Sequence, residues 1–382
     1  LGDLRSLISA NETGGNRILN LMDEYGLEDL NALALVVQAR SEKAMRAAIR
    51  ELPNGVYESE LWYNPNGTHM RLPMRVVVSD DSIEVNYDGS PRQLPQGGIN
   101  CTLSYTTAHT TYPLKCMLTP NVRSNAGCYR PFTVKAPVGS VMNCNRPASV
   151  SMRTRTGWYA SPNLFTAMAD AIRDRVVSAT GMPSLIYMHG TRADGTAFYD
   201  YLLSGGGQGA CAAHDGKASV LFPTSAATSS IELIESRSPV LIEEKALLED
   251  SGGPGALRGG LGCRIRLRKR DDDGAMLSVI LNPEGVEVPI NGLFGGGHGA
   301  LPHGCVRDSS GSELWNVGTG GVIDLETTDH VVELQIAGGS GYGEPSDRAL
   351  EAIENDLRQG YVSAEAAQRI YAYDGRAARR KQ

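Results

Sequence analysis

The chain has 382 residues and a formal net charge of −7, with 41% hydrophobic and 21% charged residues. These fractions fit an ordinary folded protein and exclude wholesale disorder. The mild acidic surplus offers no basic surface for nucleic acid, so we expect no nucleic-acid partner. The length predicts two or three domains.

No segment approaches the ~20 consecutive apolar residues that a membrane helix needs, so we expect no membrane contact. The chain opens with Leu1, and no basic segment followed by an apolar stretch indicates a secretory signal. We therefore expect a cytoplasmic protein. The start inside an apparent helix suggests a fragment of a longer protein. A basic run at the other end is predicted to be a frayed tail; it comprises Arg376, Arg379, Arg380 and Lys381.

The seven cysteines are widely spaced, and no Cys-x-x-Cys motif occurs. This pattern is typical neither of a disulfide framework nor of a zinc site. We predict free, mostly buried thiols in a reducing compartment.

Residues 1–55 are predicted to be a helical segment, because apolar residues recur at helical spacing from Ile18 to Val36. Gly14, Gly15 and Gly26 are expected to divide it into two or three helices, the last over residues 31–52. The segment is interpreted as continuing from a missing N-terminal part.

Residues 56–230 are predicted to form an α+β domain. Apolar and polar residues alternate over 74–78 and 83–87 around a turn at 80–82, which predicts a β-hairpin. Residues 99–117 could be a helix entering the core. A further helix is predicted over 162–174, with Ser161 as its N-cap and Pro162 in its first turn.

Residues 231–345 are predicted to be a β-rich domain, with strands at 265–268, 277–279 and 331–336. Residues 346–382 should hold two helices and a tail, the second helix starting at Ser363. The predicted fold class is therefore α+β, with a β-rich central region, glycine-rich loops and helical terminal segments.

The 44 glycines cluster strongly. The groups lie at 205–209, 251–255, 259–262, 295–299, 318–321 and 338–343. No Gly-Lys-Ser/Thr follows, which excludes a phosphate loop, and Pro345 prevents a dinucleotide-binding helix after the last group. Two interpretations stay open: turns and bulges, or loops that line one pocket or interface. We expect groups 205–209 and 295–299 to lie near each other or near a chain interface.

The histidines and serines give no catalytic motif. The seven histidines form no His-Glu-x-x-His pattern, and no Gly-x-Ser-x-Gly occurs. We predict no metal site in this chain and assign no catalytic residue. Arg153 and Arg155 alternate in a predicted extended segment, so both would point to one side before a helix start. Anion binding and a structural salt bridge both remain open for them.

Seven short sequence motifs occur in order along the chain, and together they resemble those of the hydantoinase B family. They begin at Leu1, Glu51, Gly97, Asn125, Asp250, Gly292 and Gly338. This family includes the B subunits of N-methylhydantoinase and 5-oxoprolinase and related subunits of acetone and acetophenone carboxylases. Six residues are expected to bind a small-molecule substrate: Asn100, Arg130, Arg153, Arg155, Gly206 and Gly207.

The resemblance implies a complex in which an A-type subunit binds ATP and phosphorylates an amide or enolate oxygen. The family's polypeptides carry a preceding part whose Gly-Gly-Thr-His-x-x-Asp and His-rich phrases supply divalent-metal ligands. The motif from Asn66 to His69 is similar to the first of these but lacks the aspartate. The resemblance therefore implies that the metal and ATP are both bound mainly outside this chain. Hydrolysis of a cyclic amide, carboxylation of a ketone, and a non-catalytic scaffold role all stay open.

Overall fold

A computed structural model describes residues 2–224, 226–271, 274–283 and 285–375. The basic run at 376–381 lies outside the described residues, as does the side chain of Asn66. The described part mixes helices and strands, with helices at both ends and sheets between them. The predicted fold class is confirmed.

Two helices open the chain: α1, Gly2–Tyr25, and α2, Asn31–Arg50. The prediction for α2 is confirmed. The predicted break at Gly14 and Gly15 is wrong, because α1 runs through both. Neither glycine has an atom within 4 Å of where its Cβ would lie, so both cost the helix only their backbone entropy.

The first sheet has four strands in the order β1 (Gly55–Tyr63), β2 (Met70–Ser79), β3 (Ser82–Asn86) and β4 (Phe132–Lys135). β2 and β3 form the predicted hairpin, with Ser79 opposite Ser82. Alternate residues of β2, Leu72, Met74 and Val76, are buried, because strand side chains alternate between faces.

Four helices accompany this sheet: α3 (Leu103–Leu118), α4 (Ala126–Tyr129), α5 (Thr154–Gly157) and α6 (Ala160–Met168). The helix predicted within 99–117 is confirmed as α3. The predicted bounds of α6 are wrong, because Tyr159, next to the C-cap Trp158 of α5, caps α6 and the helix ends at Met168. Ser161 therefore lies inside α6, and its hydroxyl donates to the carbonyl of His109 at 3.5 Å.

The second half of the chain forms two packed sheets. Between residues 184 and 335 the described strands, with one α-helix among them, are β5 Ser184–Thr191, β6 Ala197–Ser204, α7 Ile231–Arg237, β7 Val240–Leu247, β8 Cys263–Lys269, β9 Met276–Leu281, β10 His303–Arg307, β11 Glu313–Asn316, β12 Gly321–Leu325 and β13 Val331–Gln335. The sheet orders are β11-β10-β13-β8-β7 and β12-β9-β5-β6. Apolar residues of both sheets, such as Met188 and Leu267, share one buried cluster, so the predicted strands and β-rich character are confirmed.

The chain closes with α8, Leu350–Gln359, and α9, Ala364–Tyr371. Ser363 caps α9 as predicted, accepting the backbone N–H of Ala366. The start predicted for α8 is wrong by four residues, because Arg348 has an extended backbone that sends its side chain inward. The domain boundaries proposed from the sequence stay a prediction.

All seven cysteines are free, and four of them are buried, as predicted. Among the described residues, no helix is long and apolar enough to cross a membrane.

Candidate functional site

Four glycine-rich segments cross at one place, which we call the glycine core: residues 205–209, 252–262, 292–299 and 338–343. Backbone hydrogen bonds connect these segments directly. The N–H of Gly253 donates to the carbonyl of Gly339 at 2.8 Å, and that of Gly339 donates to Gly260 at 2.9 Å. A Cβ on Gly207 would lie 1.8 Å from the carbonyl oxygen of Gly260, and one on Gly299 would lie 2.8 Å from that of Gly339. The glycines here allow backbone to pack on backbone, and the expected proximity of groups 205–209 and 295–299 is confirmed.

A cleft lies beside the glycine core. One cavity of about 250 Å³ is bounded by Arg155, Trp158 and Pro183. A second, of about 490 Å³, is bounded by Gly205, Gln208 and Lys217. Both cavities are lined by Leu221, Thr224 and Ala226. The described parts of the 219–228 loop therefore connect the two cavities, and we call the connected cavities the cleft.

The cleft is mostly apolar, with a few polar groups. Arg155 is only 5% exposed, and its Nη2 donates to the carbonyl of Thr319 at 3.4 Å. The side-chain oxygen of Gln208 is buried and accepts no hydrogen bond from the described residues. A few polar groups in an apolar hollow are typical of small-molecule sites.

A largely buried charge network also lies beside the glycine core. Arg348 bonds to Asp215 at 2.8 Å and to Asp356 at 2.6 Å, and Arg258 bonds to Asp356 at 3.2 Å. Burial raises the pKa of Asp215, but hydrogen bonds and charge from Arg348 and Arg258 outweigh it and hold that pKa below its usual value.

This network also positions Gln208. The carbonyl of Arg258 accepts the N–H of Gly216 at 2.7 Å, and the carbonyl of Gln208 accepts the N–H of Gly260 at the same distance. The N–H of Gln208 donates in turn to Lys217 at 2.8 Å. The backbone at Gln208 is thus held by the segments that the network fixes.

The structure brings only part of the predicted substrate-binding set to the cleft. Arg155 lines one cavity, and Gly206 and Gly207 lie in the glycine core next to Gly205, which lines the other. The predicted extended segment at Arg153 and Arg155 is wrong. Arg153 has helical backbone angles and Arg155 lies in α5, because backbone hydrogen bonds close a turn here: the N–H of Gly157 donates to the carbonyl of Arg153 at 2.9 Å.

The remaining predicted residues lie elsewhere. Arg153 is exposed and stacks on Tyr105, with its guanidinium carbon 5.1 Å from the ring centroid. Arg130 bonds to Gln38 at 2.6 Å and Glu42 at 3.1 Å on the outer side of α2. Asn100 is fully buried, and its amide makes three bonds of 2.7–2.9 Å to Leu94 and Ser149. Their role in substrate binding stays a prediction.

Gln208 was missed by the sequence reasoning. The only signal for it was its place inside the group 205–209, where it is the one residue with a polar side chain.

The cleft does not fit the metal or the nucleotide that the family resemblance implies. Within the described ranges, no group of three His, Cys, Asp or Glu side chains lines it. The glycine groups also lack the lysine that a phosphate loop places on the phosphates. The cleft residues are therefore assigned no chemical step that runs through a metal or a nucleotide.

The chain has relatives that match it in sequence over nearly all its length. It is 30% identical over 97% of its length to an uncharacterised protein of Methanocaldococcus jannaschii. It is also 27% identical over 97% of its length to the caprolactamase subunit beta of Pseudomonas jessenii. It spans 64% and 65% of those two proteins, about two thirds of their length.

Two solved structures share the fold. The crystal structure of the ATP-dependent caprolactamase from Pseudomonas jessenii matches with a TM-score of 0.84 at 24% identity, over 98% of this chain and 67% of that one. A nucleotide-free acetone carboxylase structure matches with a TM-score of 0.71 at 18% identity, over 87% of this chain and 51% of that one. The sequence profile of the family described as Hydantoinase B/oxoprolinase matches residues 1–345. This chain therefore belongs to the Hydantoinase B/oxoprolinase family.

Proposed function

We propose that this chain is part of the B-type subunit of an ATP-dependent complex that hydrolyses a cyclic amide. The observation that carries the proposal is the sequence match to the caprolactamase subunit beta over 97% of the chain. ATP and a divalent metal would be supplied by an A-type partner and by the rest of the B-type subunit. The complex is expected to work in the cytoplasm.

A ketone carboxylase subunit is the second candidate, and the acetone carboxylase structure favours it. That likeness covers 87% of the chain, whereas the caprolactamase likeness covers 98% and has the higher TM-score. We therefore place amide hydrolysis first. A purely scaffolding role would leave the cleft without a ligand.

The cleft suits a small cyclic amide. Such a ring presents at least one N–H donor and one carbonyl acceptor. A rotation of the terminal amide of Gln208 would turn its side-chain oxygen, which has no partner among the described residues, toward the N–H of the substrate. The cations of Arg155 and Lys217 would attract negative charge that develops on the substrate oxygen. Binding and orienting the ring is the role we assign to this chain.

Helix α1 and the start of α2 are the proposed contact surface for the rest of the complex. No residue of α1 is buried, although it carries large apolar side chains such as Leu7 and Ile18, which are 62% and 47% exposed. Exposed apolar area of this kind marks interaction surfaces. The relatives are about half as long again as this chain, so they carry additional protein that could cover it.

The test is an assay of the assembled complex with ATP and a panel of substrates: hydantoin, 5-oxoproline and caprolactam, or acetone and acetophenone with labelled bicarbonate. We expect a ring-opened amino acid from one of the cyclic amides. Incorporation of label into a keto acid would instead establish the carboxylase.

Gln208→Leu tests the role of the cleft. A buried acceptor without a partner costs about 1–3 kcal/mol, so its removal should leave the free energy of unfolding unchanged or raised. We expect kcat/KM for the cyclic amide to fall at least about tenfold, which corresponds to 1.4 kcal/mol. Gln368→Leu, at an exposed position on α9, is the control. Full activity of Gln208→Leu would remove Gln208 from the site.

A further inference from the structure

Strands β10 and β11 place three different metal-binding side chains together, well apart in sequence from the cleft residues named above. One ligand atom each from His303, Cys305 and Glu313 lies within 4.8 Å of the other two. The Nε2 of His303 and an Oε of Glu313 are 3.1 Å apart. Among the described residues, this is the one group of at least three His, Cys, Asp or Glu side chains with such spacing.

The sheet fixes this arrangement. His303 and Cys305 are two residues apart on β10, so their side chains share a face. Glu313 reaches the same place from β11, where a change of register after Val306 sets it opposite Arg307. Cys305 is fully buried and pairs with Asn316 on one side and Glu333 on the other. Its sulfur therefore has a position set by three strands.

The other two side chains lie at the rim. The side chains of His303 and Glu313 are 32% and 35% exposed. One rigid ligand at the base and two at the edge leave an open side toward solvent. This is the arrangement of zinc sites that have three protein ligands and a water in the fourth position.

The charges also suit a divalent cation. A thiolate and a carboxylate supply two negative charges, and a neutral imidazole adds none. The neighbouring Arg307 is engaged by Glu333, with two bonds of 3.1 and 3.2 Å, although it also lies 3.8 Å from Glu313. The charge of Arg307 is thus balanced without Glu313.

We propose that His303, Cys305 and Glu313 bind one divalent transition-metal ion of the zinc class, with a fourth position open to water. A mixed nitrogen, sulfur and oxygen set is typical of zinc, and the thiol disfavours magnesium and calcium. Ligand atoms around a tetrahedral zinc lie about 3.5 Å apart, so the two rim side chains, already 3.1 Å from each other, need to move toward the sulfur of Cys305 by about 1 Å. Binding releases the thiol proton to water as the metal–sulfur bond forms.

This proposal departs from the expectation that the chain holds no metal. That expectation came from short motifs, whereas Glu313 lies on a different strand from His303 and Cys305. The proposal does not rest on the amide-hydrolysing function, and it fails or succeeds independently of it.

Cobalt spectroscopy tests the site. Co²⁺ is added to the full 382-residue chain, purified in zinc-free buffer with any chains that accompany it. We expect one equivalent to give a near-ultraviolet thiolate-to-cobalt band and intense visible bands of four-coordinate cobalt, and added Zn²⁺ to abolish both. Cys305→Ser should lose the thiolate band, whereas Cys116→Ser, at an exposed cysteine outside the group, should keep it.

His303→Asn provides the second variant, because a half-exposed position tolerates substitution better than the buried cysteine. We expect its Co²⁺ affinity to fall at least about tenfold, with an unchanged circular dichroism spectrum. The proposal is overturned if the wild-type chain gives no thiolate band. It is equally overturned if that band persists in folded Cys305→Ser or if folded His303→Asn binds Co²⁺ as tightly as the wild type.

Discussion

The glycine core and helix α1 both contain adjacent glycines, but the surroundings of these glycines differ. In the glycine core, carbonyl oxygens of other segments occupy the space where Cβ atoms would lie. Around Gly14 and Gly15 of α1 that space is empty. Glycine is thus required for backbone packing in the glycine core, whereas in α1 it only lowers helix stability. The glycine core is thus part of the packed interior, whereas α1 makes few contacts with the rest of the described chain.

The largest expected effect comes from the charge network beside the glycine core. Asp356→Asn should lower the free energy of unfolding by about 3–5 kcal/mol, because it leaves Arg258 and Arg348 buried with one carboxylate fewer. Urea denaturation measures the change. Glu60→Gln, which breaks an exposed pair with Arg71, is the control and should cost less than about 1 kcal/mol. Equal losses would mean that the network contributes no more than a surface pair.

A matched pair of glycine substitutions tests the comparison directly. Gly207→Ala should destabilise by about 3 kcal/mol, because its Cβ meets the backbone of Gly260. Gly15→Ala should stabilise α1 itself by about 0.5–1 kcal/mol, since alanine favours the helix and its Cβ meets no atom of the described residues. Thermal unfolding of both variants measures the difference, and shifts of the same sign would refute the contrast.

A smaller effect is expected from pH. Burial lowers the pKa of His109 on α3 to about 4, against 6.5 for the unfolded chain. Between these values the unfolded chain binds more protons, so stability present above pH 6.5 is lost as pH falls toward 4, by about 1–3 kcal/mol. His109→Gln should reduce this loss, whereas His69→Gln, at an exposed histidine, should not. Urea midpoints near neutral pH and near the lowered pKa measure it, and parallel losses in all three proteins would refute the assignment.

The smallest effect on stability is expected in α1. The double variant Leu7→Gln and Ile18→Gln should change the free energy of unfolding by less than about 0.5 kcal/mol, because both side chains are exposed. It should nevertheless weaken co-purification with the rest of the complex. A marked loss of stability would show that α1 packs on the body, and unchanged assembly would remove α1 from the interface.

The local elements could be predicted from the sequence because their signals are local. The β2–β3 hairpin follows from strict alternation around a polar turn, and the start of α9 follows from the Ser363 cap. Tertiary contacts override such signals elsewhere. The segment at Arg153 and Arg155 is closed into a turn by the hydrogen bond from the N–H of Gly157 to the carbonyl of Arg153, and the extended backbone at Arg348 delays the start of α8.

The site was harder to predict, because its contacts join residues far apart in sequence. Glycine groups indicate backbone freedom, but their crossing depends on segments from 205 to 343 meeting at one point. That the side-chain oxygen of Gln208 accepts no hydrogen bond from the described residues becomes visible only once its neighbours are placed. The approach of His303 to Glu313 likewise requires the register of β10 on β11.

The most direct test of the proposed amide hydrolysis is its coupling to ATP in the assembled complex. Ring-opened product and ADP are quantified together while a cyclic amide is consumed. We expect product to form only when this chain, its partners and ATP are all present, with one ADP for each ring opened. ADP release without ring opening for every cyclic amide supplied would contradict the account.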